Sequence, residues 1–322
     1  MNRSIISKIV LIVCLSFSQT SAHAEEESIH TATRRLSDKR VSELAEEGKH
    51  YEALVQAHNQ ADSLDLSDEL SAARSAWALG LSARSHEYFK AALSRDELKG
   101  DERKRTIITR AIIELQEGRF EEARSMAERA TVDMKASDLR AQFWLLIGEA
   151  LREQGAFSLS ESYYKKALEE GSEETRLEAK YLLGECQLKL GRASDARYQF
   201  ASIDTNSQYA SYALRRLSEI DLQQKNYESV LTWTDEGKKL FPTQFSDAWT
   251  QYARVSALTE LSRVSQAQEE LASFRVRHSQ INPWYSLAEA RVERALIEQL
   301  VPRARLDEEK SEKTQEVTKV KK

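Results

Sequence analysis

Proline and glycine are scarce, with three prolines (Pro242, Pro283, Pro302) and ten glycines in 322 residues. Proline breaks helices and glycine weakens them, so long stretches are left free to be helical. β-branched residues form no alternating runs, which removes the period-two signal of a half-buried strand. Neither sign of charge dominates: 47 Lys and Arg stand against 52 Asp and Glu, for a net charge of −5. The two signs are mixed along the chain, so the clustered basic surface that nucleic-acid binding needs is missing. After residue 24 no stretch is apolar enough to span a membrane.

Cysteine and histidine are also sparse, and this narrows the chemistry. The two cysteines are Cys14 and Cys186. If an N-terminal leader is removed, only Cys186 remains and no intramolecular disulfide can form. Cys186 sits on an apolar helix face, which suits a small core residue. His30, His50, His58, His86 and His278 are scattered, and no His or Cys pair has metal-ligand spacing. A Gly-rich phosphate loop and a Gly-x-Ser-x-Gly elbow are both missing. Glu173 and Glu174 follow the capping residue Ser172, where the helix dipole accounts for their acidity. The expectation is no catalytic residue, no metal and no cofactor. A catalytic solenoid would need a clustered acid pair that spacing alone does not reveal.

The N-terminus reads as an export signal. Arg3 and Lys8 give it a positive start, and an apolar run follows from Ile9 to Phe17. Ala22-His23-Ala24 then supplies an Ala-x-Ala cleavage site. The run is well short of the roughly 20 residues a membrane span requires. Val13 stands before Cys14 where a lipoprotein needs a small residue. The reading is a cleaved signal over 1–24, a periplasmic mature chain, and no integral membrane segment after cleavage.

What the chain does have is Ala, Leu, Glu, Lys, Arg, Ser and Gln arranged in short helical patterns. In 141–168, Trp144, Ile147, Gly148 and Leu151 share one face. Gly155 breaks the pattern, and Phe157, Ser160, Tyr164, Ala167 and Leu168 resume it. Neither helix covers its apolar face alone, but an antiparallel pair does. Similar breaks fall near 48, 80, 118, 191, 225 and about 262, so successive spacings are 32, 38, 37, 36, 34 and about 37. That period, with two helices per unit, predicts an all-α solenoid of about seven pairs followed by a last helix from Trp284 to Leu300. The first helix is expected to begin near Arg34 and to include Leu36. Gly100-Asp101, Ser137-Asp138, Ser172 and Asp204 are expected to open helices. Residues 25–33 read as a flexible N-terminus, 34–300 as the repeat domain and 301–322 as a charged, disordered tail.

The repeat resembles the tetratricopeptide repeat family. Trp144, Ile147-Gly148, Gly155, Phe157, Tyr164 and Ala167 match its pattern, as do Leu183-Gly184, Gly191, Ala196 and Phe200. Leu217, Tyr227 and Pro242 match in the next unit, where Ser218 replaces the glycine. Upstream, Gly118, Phe120, Ala123 and Ala130 match, and the end units are degenerate. The resemblance implies a right-handed superhelical solenoid in which Gly148 and Gly184 let paired helices approach. It also implies a concave groove, lined by first helices, that takes a partner segment. Residues left over from packing would be Leu145, Glu149, Arg152, Tyr181, Glu185, Leu188, Lys189, Tyr212, Arg215 and Glu219. Their mixture of apolar side chains and both charge signs suits a protein segment. Trp284 and Tyr285 either cap the core or form a patch on the last helix. The function expected is a non-catalytic scaffold or assembly factor of an envelope machine, with self-association open. The alternative is an accessory solenoid that binds a glycan or cell wall.

Overall fold

Seven turns set the architecture. At each, one residue enters the left-handed region: Gly48, Gly80, Gly118, Gly155 and Gly191 with φ between 74° and 79°, Lys225 at 62° and Ser262 at 59°. They coincide with the breaks expected from the sequence. The next amide always donates to the carbonyl five residues back. Ala156 N–H reaches Leu151 O at 2.9 Å, and Asn226 N–H reaches Asp221 O at 2.8 Å. This bond satisfies a carbonyl that the helix end would leave open, and it needs a left-handed residue just before the donor. A new helix then starts two residues after the turn residue.

The computed structural model describes residues 39–278 and 282–300, and among them the regular elements are helices. In order they are α1 (Val41–Glu46), α2 (His50–Asn59), α3 (Leu66–Ala78), α4 (Ser82–Ser94), α5 (Gly100–Gln116), α6 (Phe120–Thr131) and α7 (Asp138–Glu153). Then come α8 (Phe157–Glu170), α9 (Glu173–Lys189), α10 (Ala193–Ala201), α11 (Ala210–Gln223), α12 (Tyr227–Leu240), α13 (Ala248–Glu260) and α14 (Val264–Arg277). A last helix, α15, covers 283–300. Odd-numbered helices up to α13 are the first members of pairs and even-numbered ones the second. No described helix is long and apolar enough to cross a membrane. The expected leader, the residues 25–33, Leu36 and the tail 301–322 lie outside the described residues.

The chain divides into two compact units, Met1–Ala179 and Lys180–Lys322. In the first, α7 and α8 show how a pair closes. A Cβ added at Gly148 would meet Tyr164 Cε1 at 2.5 Å, so the tyrosine ring lies flat on the bare backbone. Ser160 donates to the Gly148 carbonyl at 2.7 Å while fully buried. Ser85 does the same to Ala73 at 2.8 Å, two pairs earlier. A small side chain is needed at that site, and serine satisfies its own hydroxyl there. Trp144, expected in the core, packs half-buried at its edge, 5.7 Å from the Tyr163 ring. In the second unit Phe200 lies over Gly184, where a Cβ would meet its Cζ at 2.7 Å. Cys186 is fully buried, as its apolar position predicted. Val230, Ala253, Val255, Phe274 and Tyr285 anchor the core at the other end of the unit.

Helix starts differ from the sequence reading at three places. The helix expected from near Arg34 through Val41 and Leu44 is interrupted by the extended Arg40, and α1 begins at Val41. Ser137 caps α7 by accepting from Arg140 N–H at 3.3 Å, and Ser172 accepts from Thr175 N–H at 3.4 Å, both as expected. Lys99 holds the cap position before α5 with no side-chain cap bond, and Gly100 is already helical. Asp204 opens no helix. Its carboxylate accepts from Asn206 N–H at 2.7 Å and its carbonyl from Ser207 N–H at 3.0 Å, so it folds a local turn, and α11 starts at Ala210. At the far end Asn282 accepts from Trp284 N–H at 2.9 Å, and Pro283 takes the first helical position, where its missing N–H costs nothing.

Candidate partner-binding face

The turns give each first helix a common register. Side chains thirteen, ten, six and three residues before the left-handed residue fall on one face. On α7 these are Gln142, Leu145, Glu149 and Arg152; on α9, Glu178, Tyr181, Glu185 and Leu188. On α11 they are Tyr212, Arg215, Glu219 and Leu222; on α13, Trp249, Tyr252, Ser256 and Thr259. All nine principal candidates from the sequence therefore occupy equivalent rows. Leu145, Glu149 and Arg152 belong to the first unit and the remainder to the second.

Burial divides the candidates. Leu145 is 4% exposed, Glu149 2% and Tyr181 5%, although the sequence reading set them open to solvent. Their neighbours account for the difference. Glu149 accepts two bonds from Arg152, at 2.6 and 2.9 Å, and one from the Tyr164 hydroxyl at 3.1 Å. Tyr181 is hemmed in by Phe200 at 5.6 Å, Tyr209 at 5.8 Å and Tyr212 at 6.0 Å between ring centroids. Arg152, Glu185, Leu188, Tyr212, Arg215 and Glu219 are half-buried, and Lys189 is exposed.

The charges on this face mostly satisfy one another. Arg216, which the sequence reading passed over, donates to Glu185 at 2.5 and 2.8 Å and to Glu219 at 2.7 Å. Burial lowers the Arg216 pKa, and the two carboxylates more than reverse it, so the net shift is upward. Arg152 follows the same balance, with Glu149 as its main partner. Burial pushes Arg215 down. Its guanidinium pairs with Asp247 and lies 4.5 Å from the centre of the Trp249 ring. Burial pushes the Tyr181 hydroxyl up.

Two of the other buried carboxylates serve turns. Glu114 and Asp221 each stand four residues before a left-handed residue. Asp221 accepts from Arg197 at 2.8 Å, Trp233 at 2.7 Å and Asn226 at 3.0 Å. Glu114 pairs with Arg119 and lies 2.9 Å from His86. Burial opposes both charges, and the donors overcome it, leaving both pKa values below the usual carboxylate range. His50 Nδ1 lies 3.2 Å from Ser75 Oγ, but Ser75 is fully buried and cannot meet a substrate. Among the described residues no three metal-ligating side chains gather.

One hollow opens on this face in the first unit. It has about 520 Å³ and is lined by Ser67, Leu70 and Arg74 of α3 together with Arg40, Asp65 and Glu102. A second, of about 510 Å³, is lined by Leu231, Asp235, Arg254, Glu269 and Glu270 and by no residue of the rows. Residues 108–175 match the family model for the tetratricopeptide repeat. The match runs from within α5 to the start of α9. No curated protein matches the chain in sequence.

Solved structures show the same fold. PilW, described as a widely conserved type IV pilus biogenesis factor, is 17% identical with a TM-score of 0.51, over 68% of this chain and 96% of that one. Pseudomonas aeruginosa PilF is 14% identical with a TM-score of 0.50, over 66% of this chain and 96% of that one. The Cut9–Hcn1 assembly of the APC/C is 15% identical with a TM-score of 0.48; the match takes 80% of this chain but spans only 48% of that one. None of these comparisons indicates an enzymatic family.

Proposed function

We propose that this chain is an exported, non-catalytic scaffold or assembly factor of a cell-envelope machine, holding a partner segment on its first-helix face in the periplasm. The observation that carries the binding role is the common register of half-buried side chains along successive first helices. Leu188, Tyr212, Arg215 and Glu219 offer apolar area beside oriented charge, the mixture found in protein interfaces. The envelope assignment rests on the leader-like 1–24, with Arg3, Lys8, the run Ile9–Phe17 and Ala22-His23-Ala24. Its readers would be a pilus, secretion, motility or polysaccharide-export apparatus, whose protein segments this face would position.

A photo-reactive residue placed at Tyr212 in cells tests the reading. The expected product is a discrete crosslink to one envelope protein, reduced when Arg215 is changed to Glu. Crosslinks confined to the opposite helices would remove the face from consideration. Fractionation with N-terminal sequencing checks export, and a mature chain starting at Glu25 is the expected result.

A further inference from the structure

The first-helix rows of the first unit hold an aliphatic stripe. Ten, six and three residues before Gly118, α5 presents Ile108, Ile112 and Leu115, all half-buried. Every other first helix from α3 to α13 has a polar side chain six residues before its turn: Arg74, Glu149, Glu185, Glu219 and Ser256 in order. On α5 the apolar row is unbroken. Its underside is fixed, because Ile108, Ile112 and Leu115 pack on a core that includes Ala111, Phe143 and Leu146. Trp77 of α3 borders the stripe half-buried, and its indole N–H donates to Gln116 of α5 at 3.0 Å.

Two arginines on the same rows stand open. Arg74 lies six residues before Gly80 and Arg105 thirteen before Gly118, and both are exposed. Neither side chain has an ion pair or a hydrogen bond among the described residues. Arg152, in contrast, is held by Glu149 and Glu153. In the second unit Arg215 is held by Asp247, and Arg216 by Glu185 and Glu219. The row positions of α3 and α5 carry no carboxylate. Glu97 and Glu102 lie at the rim of the hollow beside Arg74, off the rows. Glu102 belongs to the first turn of α5, where the helix dipole accounts for it.

We propose that the α5 stripe, with Arg74 and Arg105, receives an acidic, aliphatic segment of the protein partner. The inference rests on the first-helix face being the binding surface and adds the chemistry of the occupant. The segment's apolar side chains cover Ile108, Ile112 and Leu115, which no other described element covers fully. Its carboxylates meet the two open guanidiniums, whose planar N–H forks match a carboxylate. Apolar burial supplies the affinity, and the rim charges supply rate and selectivity. A bare polyanion satisfies the arginines but leaves the stripe uncovered. A basic segment covers the stripe and is repelled by both arginines.

The test titrates the full chain with a fluorescent, end-capped peptide of leucine and glutamate. Controls are a lysine-for-glutamate version, a glutamine-for-glutamate version and oligoglutamate. The leucine–glutamate peptide is expected to bind about tenfold more tightly than any control. A tenfold rise in salt should weaken it by about fivefold, since the pairs are exposed. Changing Arg74→Glu and Arg105→Glu together should weaken it by about tenfold and confer binding of the lysine version, with the thermal midpoint unchanged because both side chains are exposed. Ile112→Ser should weaken both peptides alike on their respective chains. Equal binding of the glutamine version or of oligoglutamate overturns the proposal, and so does acidic binding that survives the double arginine change. The cell crosslink at Tyr212 separates the two readings. A crosslink that forms although the acidic peptide does not bind overturns this inference and leaves the binding face standing. Neither crosslink nor peptide binding overturns both.

Discussion

Gly148 and Tyr164 carry the closest approach in the first unit, and each gives a direct test. The glycine has no Cβ because the ring of Tyr164 occupies that space at 2.5 Å. Gly148→Ala forces the ring or the helix to shift and should cost about 1–3 kcal/mol, measured by chemical denaturation. Alanine's better helix propensity, worth up to about 1 kcal/mol, offsets part of that cost. Tyr164→Phe keeps the packing and removes only the hydroxyl bond to Glu149. Arg152 still holds that carboxylate with two bonds, so the expected loss is about 1 kcal/mol. A loss as large as that of a core truncation would mean the Tyr164 hydroxyl organises more than this one contact. The glycine itself was legible in the sequence. The double use of Glu149, by Arg152 and by Tyr164, was not, because Tyr164 comes from the second helix of the pair.

At the scale of elements, the helix-pair turns are the informative feature. Five of them use glycine at positive φ, but Lys225 and Ser262 hold the same conformation with a side chain. A left-handed conformation costs such residues about 1–2 kcal/mol, while glycine adds roughly 0.5–1 kcal/mol of unfolded-state entropy to overcome. Lys225→Gly and Ser262→Gly should therefore each stabilise the second unit by about 0.5–1 kcal/mol, seen as a raised thermal midpoint. An unchanged or lowered midpoint would show that their side chains contribute contacts of their own. These two turns were readable without glycine, because the apolar pattern breaks there. The start of α11 was not: Asp204 has the composition of a cap, and local bonds to Asn206 and Ser207 turn the chain instead.

At the scale of the whole molecule, ion pairs and hydrogen bonds to part-buried carboxylates among the described residues make stability depend on pH. Glu114, Asp138, Asp221 and Glu270 all have folded pKa values below their ordinary ones. For each, burial raises the pKa and the donors around it lower it further, chiefly Arg119, Thr175, Arg197 and Lys238 in turn. A depressed carboxylate contributes its full stability above the unfolded pKa of about 4 and loses it as pH falls through the folded value. The thermal midpoint should hold from neutral pH to about 5 and then fall steeply below about 4. Asp221→Asn should flatten that fall while lowering the midpoint at neutral pH, since it weakens the pairing with Arg197 and leaves Trp233 a poorer acceptor.

The sequence by itself determined the helix pairs, their period and the positions of their turns. Those follow from local chemistry: apolar spacing within one helix, and a break where the pattern stops. It also marked the rows of first-helix residues, since a row is only a spacing. Tertiary structure alone decided which members of a row meet solvent. Leu145, Glu149 and Tyr181 share their rows with exposed or half-buried residues, yet they are covered, because burial depends on helices from other parts of the chain. The same holds for Arg216, whose partner Glu185 lies 31 residues away, and for the half-buried and exposed rings from Tyr212 to Trp284. Each ring is an ordinary amphipathic residue within its own helix. They become one surface when consecutive first helices pack side by side.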